Sequence, residues 1–330
     1  MDPSNADLPP LKDLTIDNIT DNVNLINSKN PSPRFKFLLE RLVVHLHDFA
    51  RETRLSQNEW LQAILFLTAT GQICSDVRQE FILLSDILGL SLLVDSIDHP
   101  KPPGSTEGTV LGPFHTHHAE HLENGAIMSH DQNGEPLFVL CTVKDTKGNP
   151  VSGVKIDIWE TDSSGMYDVQ HLDREKPDGR CILTSDEEGN FWFKGIVPVP
   201  YPIPHDGPVG MLLSKLNRHP MRPSHMHFMF EKEGWDKLIT ALYLRGDPYE
   251  TSDAVFGVKE PLIVDLGRVD KDLASKYPGI REGTRLMTYD FVLVTDKETA
   301  QLRDRNSVEA LKKLNMSVKL VDGLPVPEND

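Results

Sequence analysis

Residues 219–230 read HPMRPSHMHFMF, and this stretch indicates how the central part of the chain folds. Pro223 disfavours a helix just before it, so the segment that follows is predicted to be extended. Side chains two residues apart on a strand point to the same face, which places His225 and His227 side by side. Imidazole is the commonest metal ligand in proteins, so this pair suits a metal ion. The pair alone is weak evidence, because paired strand histidines are equally often structural.

The sequence on both sides of this stretch is predicted to be β-structure. From about Pro136, apolar residues alternate with polar ones in short runs, separated by turn signals such as Lys147-Gly148-Asn149. Several short strands with this spacing are typical of a β-sandwich or barrel. The predicted strands are LFVLCTVKD (137–145), VKIDIWET (154–161), CILTSD (181–186), NFWFKGIV (190–197), HMHFMFE (225–231), LITALYL (238–244), LIVDLGRV (262–269) and TYDFVLVT (288–295).

The first third of the chain is predicted to be helical. Apolar residues recur with helical spacing from Pro33 to Phe49, and Ser56-Gln-Asn-Glu59 is a capping box that begins a second helix. A third helix is predicted from about Asp76 to Leu88, with Ser91 capping a fourth. A last helix is predicted over 307–314.

Helices followed by strands indicate an α+β chain rather than a βαβ sheet. We therefore predict a helical N-terminal domain over residues 1–104. A mostly antiparallel β-sandwich catalytic domain with a C-terminal tail would occupy residues 105–330. The Pro- and Gly-containing stretch from His99 to Gly104 is the best candidate for a linker.

Composition narrows the class of function. The net charge of −16 argues against nucleic-acid binding, because no basic stripe is available to neutralise phosphates. The three cysteines, Cys74, Cys141 and Cys181, form neither a disulfide framework nor a zinc motif. No signal peptide or apolar run of membrane-spanning length occurs, so we expect a cytoplasmic protein without membrane insertion.

Two tyrosines extend the metal hypothesis. Tyr167 follows a glycine turn, and Tyr201 lies in the proline-rich loop VPVPYPIPHDGP. A loop tyrosine is more often a packing residue than a ligand. Two phenolates added to His225 and His227 would nevertheless form a mixed shell. Phenol has a pKa of about 10, so such a shell needs a strong Lewis acid, and ferric iron fits.

Four segments point to a known family, namely TVLGPFH (109–115), WETDSSGMYDVQ (159–170), PVPYPIPHDGPVG (198–210) and RHPMRPSHMHF (218–228). They resemble the intradiol ring-cleavage dioxygenases, ferric enzymes that open catechols between their hydroxylated carbons. The resemblance implies one Fe³⁺ per chain held by Tyr167, Tyr201, His225 and His227. It further implies that Tyr201 is displaced by the substrate and takes its proton, and that Arg222 stabilises negative charge on the ring. Its other implications are a β-sandwich catalytic domain and a homodimer formed through the N-terminal helices.

The resemblance also bears on the substrate. Asp95 stands where catechol-specific members tend to have proline, and Leu92 shares its helix face. LGLSLLVDSI and SDAVFGVK resemble the hydroxyquinol 1,2-dioxygenase branch, so a third ring hydroxyl is the expected partner of Asp95. Ala241 replaces a glutamine of the catechol-cleaving members. The remaining predicted substrate-binding residues are Val110, Gly112, Pro113 and Phe114.

We therefore predict cleavage of hydroxyquinol with O₂ to 3-hydroxy-cis,cis-muconate. The alternative within the family is a catechol or chlorocatechol 1,2-dioxygenase. A zinc hydrolase using the histidine pair would need a neighbouring carboxylate base, and no HExxH-like element occurs. A non-catalytic β-sandwich module is the third possibility. Four further histidines are predicted to lie on a solvated surface, namely His115, His117, His118 and His121.

Overall fold

The computed structural model describes residues 13–75, 78–116, 119–171, 176–314 and 317–328. Among these residues, five α-helices precede the first strand along the chain, and the sheets are mixed, with antiparallel pairs in the majority. The predicted α+β class is therefore confirmed. By compactness the chain divides into one unit containing Met1–Leu67 and Arg303–Asp330, and another containing Thr68–Leu302. The division at residue 104 stays a prediction.

The first unit contains the helices α1 (Ile19–Asn27) and α2 (Pro33–Thr53), and the start of α3 (Gln57–Gln72). Proline at the first position of α2 loses no hydrogen bond, and the Ser32 hydroxyl caps that helix by accepting from the Phe35 N–H at 3.3 Å. The predicted capping box of α3 is present. Glu59 Oε2 accepts from the Ser56 N–H at 2.9 Å, and Ser56 Oγ accepts from the Glu59 N–H at 3.3 Å.

One face of α2 carries an apolar stripe that the single chain leaves open. Its members recur at helical spacing and are each about half exposed. Such a continuous apolar face normally lies against another surface. The stripe consists of Phe35, Leu38, Leu42, Leu46 and Phe49.

Of the remaining helices, three differ from prediction at their ends, and two, Pro208–Lys215 and Lys271–Lys276, were not predicted. The remaining helices are α4 (Glu80–Ile87), α5 (Leu90–Asp98), α6 (Pro208–Lys215), α7 (Lys271–Lys276) and α8 (Asp296–Lys313). The predicted start of α4, Asp76, lies outside the described residues. The prediction that Ser91 caps α5 is wrong, because Gly89 takes that position with a left-handed backbone (φ +73°). The Ser91 hydroxyl instead donates to the hydroxyl of Ser85 at 2.9 Å.

Among the described residues, the second unit contains two larger sheets and a two-stranded sheet formed by the tyrosine and arginine loops. Each of its other strands lies within or overlaps a predicted β region. Two further strands, which belong to the first unit, form a hairpin near the C-terminus. The strands are β1 (Pro136–Asp145), β2 (Lys155–Trp159), β3 (Arg180–Thr184), β4 (Asn190–Ile196), β5 (Tyr201–Pro202), β6 (Met221–Arg222), β7 (His225–Glu231), β8 (Leu238–Leu244), β9 (Ile263–Val264), β10 (Gly267–Arg268), β11 (Arg285–Leu293), β12 (Val318–Val321) and β13 (Leu324–Pro327).

The two larger sheets have the strand orders β10-β11-β1-β4 and β3-β2-β7-β8-β9. Their parallel pairs are β1 with β11 and β8 with β9. A shared hydrophobic core joins the sheets, with Phe291 of one packed against Phe230 of the other at 4.5 Å between ring centres. The prediction that 262–269 forms one strand is wrong. Its first half pairs with β8 and its second half with β11, so the chain bends between the two sheets.

Strand β7 places the two histidines on the side of its sheet opposite that core. Met226, Phe228 and Phe230 contribute to the core, and the alternation of a strand turns His225 and His227 the other way. Both histidines are buried on that side as well. A second buried layer therefore covers this sheet, and the candidate site lies there.

Candidate metal centre

The structure brings the four predicted ligands together in one buried cluster. Tyr167 Oη lies 3.0 Å from Tyr201 Oη, which lies 3.4 Å from His225 Nε2. His225 Nε2 in turn lies 3.0 Å from His227 Nε2. Atoms bound to one ion at about 2.0–2.2 Å are separated by distances of this order. The four polar atoms thus suit a single metal ion.

The histidine rings are oriented by their surroundings. His225 Nδ1 lies 2.6 Å from the carbonyl oxygen of Pro223, which can only accept, so this nitrogen carries the proton and Nε2 is free to bind a metal. Trp159, opposite His227 on β2, stacks on the His227 ring at 4.8 Å. A side chain at Gly112 would begin 3.6 Å from His227 Nε2, and the φ of +76° there favours glycine. The His227 ring is therefore stacked on Trp159, and Gly112 closely approaches its metal-facing edge.

The tyrosines reach the cluster from loops. Tyr167 begins a short 3₁₀ helix, and its ring stacks on Phe114 at 4.7 Å between centres. Tyr201 lies on β5, where it pairs with Arg222 of β6. The ring of Tyr201 meets that of Tyr167 edge to face at 5.3 Å. Both phenols are thus held by aromatic packing, and Tyr201 is also held by short backbone pairing.

Burial sets the charge states of the cluster. It lowers the pKa values of His225 and His227 well below the ordinary value, and the neighbouring Arg222 lowers them further. Both imidazoles are therefore neutral, the form that binds metals. Burial, together with Tyr201, raises the pKa of Tyr167 well above that of a free phenol. Binding Tyr167 as a phenolate thus requires a strongly polarising cation, and the set suits ferric iron.

Arg222 lies beside the four predicted ligands. Its Nη1 is 3.0 Å from His225 Nε2 and 3.4 Å from Tyr201 Oη. On the far side, Nε donates to Asp253 Oδ1 at 3.2 Å and Nη2 donates to Tyr243 Oη at 3.1 Å. Burial opposes the charge on the guanidinium, but Asp253 and the neighbouring tyrosines together outweigh burial and raise the pKa of Arg222. Arg222 is a permanent positive charge at the edge of the centre.

Several predicted substrate-binding residues lie near these groups. Phe114 contacts Tyr167, and the buried Ala241 lies directly opposite His227 on β8. Val110 and Leu92 pack together in an apolar cluster, and Gly112 lies against the ring of His227. The structure shows no corresponding contact for Pro113, which is exposed.

Asp95 is half-buried, and its surroundings are more polar than predicted. Burial raises its pKa, while His99, Lys101 and Lys259 act in the opposite direction. Lys101 is itself anchored by Asp236 at 2.5 Å. The predicted linker at His99–Gly104 is thus tied to the sheet domain by a buried ion pair.

The histidines that follow Phe114 do not all lie on a solvated surface. His115 is buried and lies 3.0 Å from the Asp157 carboxylate, so the prediction of solvent exposure is wrong for it. Nothing near His115 along the chain indicates this pairing, because Asp157 lies on β2. His121 is exposed, as predicted. His117 and His118 lie outside the described residues.

Sequence reasoning missed three functional neighbours, Asp253, Tyr243 and Trp159. Asp253 lies within SDAVFGVK, a segment noted only for its resemblance to one branch. Trp159 lies in a predicted strand and is buried, and its ring also supports His227. The two-residue period of β8 could have revealed Tyr243, since it shares a face with Ala241.

Two family models match the chain. The model described as "Catechol dioxygenase N terminus" covers residues 32–106, and the one described as "Dioxygenase" covers residues 110–295. The chain belongs to the intradiol ring-cleavage dioxygenases. This membership confirms the predicted enzyme class and decides against the zinc hydrolase and the non-catalytic module.

Similar proteins lie within the same family. Intradiol ring-cleavage dioxygenase hqdA of Aspergillus niger is 71% identical over 330 residues, covering 100% of both chains. The 6-chlorohydroxyquinol 1,2-dioxygenase of Cupriavidus pinatubonensis is 47% identical over 84% of this chain and 96% of its own. The crystal structure of hydroxyquinol 1,2-dioxygenase from Pseudomonas putida DLL-E4 matches with a TM-score of 0.79 and 42% identity. This match covers 85% of this dioxygenase and 99% of that chain.

No helix among the described residues is long and apolar enough to span a membrane.

Proposed function

We propose that this dioxygenase cleaves hydroxyquinol (benzene-1,2,4-triol) with O₂ between adjacent hydroxylated carbons, giving 3-hydroxy-cis,cis-muconate, the enol form of maleylacetate. The observation that supports this reaction is the convergence of four side chains, those of Tyr167, Tyr201, His225 and His227. Their polar atoms form a chain in which each atom lies 3.0–3.4 Å from the next. Support for the third ring hydroxyl comes from Asp95 and from the hydroxyquinol-named relatives.

The four ligands would hold one Fe³⁺ per chain. Ferric iron supplies the Lewis acidity that makes a bound diol ring reactive toward O₂. Tyr201 Oη, lying next to the Arg222 guanidinium, is placed to take a proton from a substrate hydroxyl. Arg222 would then stabilise the negative charge that the deprotonated ring acquires.

Colour and iron content test this part of the proposal. Tyrosinate bound to Fe³⁺ absorbs visible light, so the purified protein is expected to be red-brown with one iron per chain. A colourless protein that contains no iron and takes up none when Fe³⁺ is added would refute it.

The apolar cluster around Leu92 and Val110 suits one face of an aromatic ring. Asp95 follows Leu92 by three residues on α5, so the two share a helix face. A half-buried carboxylate is costly without a hydrogen-bond donor, and the third hydroxyl of hydroxyquinol would provide one. Catechol lacks that hydroxyl and would leave the interaction unmade.

Steady-state rates on both substrates test the assignment. A hydrogen bond to a charged group is worth ~1.5–3 kcal/mol, so Asp95→Ala should lower kcat/KM for hydroxyquinol by about tenfold or more and that for catechol much less. The matched control is Asp98→Ala, an exposed carboxylate on the same helix. An equal loss on both substrates would remove Asp95 from a role in specificity. A parent enzyme that prefers catechol would favour the alternative function.

We also propose that the enzyme is a cytoplasmic homodimer. The exposed stripe on α2 is continuous and apolar, as a surface covered by a second copy would be. Cys141 and Cys181 are buried free thiols, which suits a reducing compartment.

A further inference from the structure

Behind the metal centre, five residues form a closed ring of hydrogen bonds, which we call the Arg222 ring. Arg222 Nη2 lies 3.1 Å from Tyr243 Oη, which lies 3.5 Å from Thr109 Oγ1. Thr109 Oγ1 donates to the Gly257 carbonyl at 2.6 Å, and the Gly257 N–H donates to Asp253 Oδ2 at 2.9 Å. Asp253 closes the ring by accepting from Arg222 Nε at 3.2 Å.

The donor and the acceptor of each hydrogen bond in the ring can be assigned. A guanidinium can only donate, so Tyr243 Oη accepts from Arg222. The Thr109 hydrogen is used on the Gly257 carbonyl, which can only accept. Thr109 Oγ1 is therefore left as the acceptor for the Tyr243 hydrogen. At 3.5 Å this is the loosest bond of the ring, and it gives the Tyr243 hydroxyl a definite orientation.

Strand pairing explains why Tyr243 occupies this place. His227 lies opposite Ala241 and His225 lies opposite Tyr243, so both β8 residues share the face of the metal centre. Ala241 has no polar group. Of Ala241 and Tyr243, Tyr243 is therefore the residue whose side chain can form a hydrogen bond. Its ring centre lies 5.3 Å from that of His225.

The ring is tightly packed. A side chain at Gly257 would begin 2.6 Å from Tyr243 Oη and 3.0 Å from Arg222 Nη2, so glycine is required there. The preceding residue, Phe256, has a φ of +59°, which is unfavourable for a bulky side chain. Strain of this kind persists only where the surroundings enforce it. The turn that closes the ring is therefore held in one conformation.

The ring also connects Arg222 to the apolar wall beside the centre. Thr109 precedes Val110, and Asp253 precedes Ala254 and Val255, and these three apolar residues belong to one buried cluster. A shift of the guanidinium would therefore also move the apolar residues Val110, Ala254 and Val255, which follow ring members in the chain.

We propose that Tyr243 is a positioning residue, whose hydroxyl fixes the Arg222 guanidinium so that Nη1 faces the metal centre. Of the acceptors on the far side of Arg222, Asp253 lies at 3.2 and 3.4 Å while Tyr243 lies at 3.1 Å. Arg222 Nη2 donates to both Asp253 and Tyr243, so the guanidinium is held by two separate groups. Without the Tyr243 hydroxyl, Asp253 alone would set the orientation of the guanidinium on this side. The inference rests on the proposed function of Arg222.

The test compares Tyr243→Phe with Tyr289→Phe, each in the iron-loaded full-length chain. Tyr289 is a matched control because its hydroxyl donates to the Pro261 carbonyl at 2.9 Å, away from the centre. Three experiments are made on each variant. Steady-state kinetics under air give kcat and KM for hydroxyquinol, the visible spectrum is recorded with and without catechol in the absence of O₂, and thermal unfolding gives the midpoint.

Tyr243→Phe should lower kcat by about tenfold, as expected for one lost hydrogen bond to a charged group. The catechol complex should absorb at a shifted wavelength, whereas iron content and thermal midpoint should match the control. Thr109→Val should act in the same direction and Thr109→Ser should restore activity, which keeps the idea testable if Tyr243→Phe folds poorly.

A Tyr243→Phe enzyme with the kcat and catechol spectrum of Tyr289→Phe would overturn the positioning role. So would a loss of activity that merely follows lost iron or lost thermal stability. Failure of the proposed function is separable, because the unmodified protein would then bind no iron or cleave no diol.

Discussion

Replacing Asp253 by asparagine should destabilise the sheet domain far more than the same change at the surface. The side chains of Asp253 and Arg222 are each 2% exposed, and the carboxylate accepts from Arg222, from the Val255 N–H and from the Gly257 N–H. Asn keeps the shape but presents an NH₂ group to these donors and leaves the guanidinium charge uncompensated. Removing one partner of a buried ion pair typically costs ~3–5 kcal/mol. We expect about 3 kcal/mol, because one acceptor oxygen remains.

Thermal unfolding of both proteins, monitored by circular dichroism at equal iron content, measures this effect. For a domain of ~150–250 residues each kcal/mol lowers the midpoint by about 2–4 °C, so a drop of roughly 6–12 °C is expected. Asp290→Asn is the control, because Asp290 pairs with Lys144 while its side chain is 60% exposed. An exposed pair contributes at most ~1 kcal/mol. Equal shifts for the two variants would refute the argument that burial makes Asp253 essential.

Three further outcomes are expected. Tyr167→Phe should bind less iron and lose ~100-fold or more in kcat/KM, because even groups outside a ligand set contribute ~10–100-fold; metal analysis and kinetics check this. Lys155 and then Lys237 lower the pKa of Glu231 to about 2, below its unfolded value. Its stabilisation is therefore present above ~pH 4.3 and lost as the pH falls toward 2, so urea unfolding of Glu231→Gln should differ from the parent by under ~1 kcal/mol at pH 7 and converge at low pH. Leu42→Glu should turn a dimer into monomers in light scattering, since it places a charge in the exposed stripe of α2.

Local patterns predicted much of this architecture. The two-residue period located β7 and β8, and it correctly placed His225 and His227 on one face. The capping box at Ser56 likewise located the start of α3. These features depend on neighbouring residues, so the sequence contains their cause directly.

Features that depend on distant partners could not be predicted in this way. His115 is buried because Asp157 lies beside it, and nothing near His115 in the sequence indicates that carboxylate. The Arg222 ring likewise draws Thr109, Tyr243 and Asp253 from separate segments. Motif resemblance predicted the candidate ligands, but the support behind Arg222 emerged only from the three-dimensional arrangement.

The four candidate ligands differ in how much structure must be disrupted for each to move away. His225 and His227 belong to a strand paired on both sides, so displacing either imidazole means breaking a sheet ladder. Tyr201 belongs to a strand of two residues, and its pairing with Arg222 is confined to that short ladder. Local opening is cheapest where few hydrogen bonds must be broken. If these four residues hold the ion as proposed, the histidines would stay in place while Tyr201 could yield to a diol, and the sheet would keep its shape.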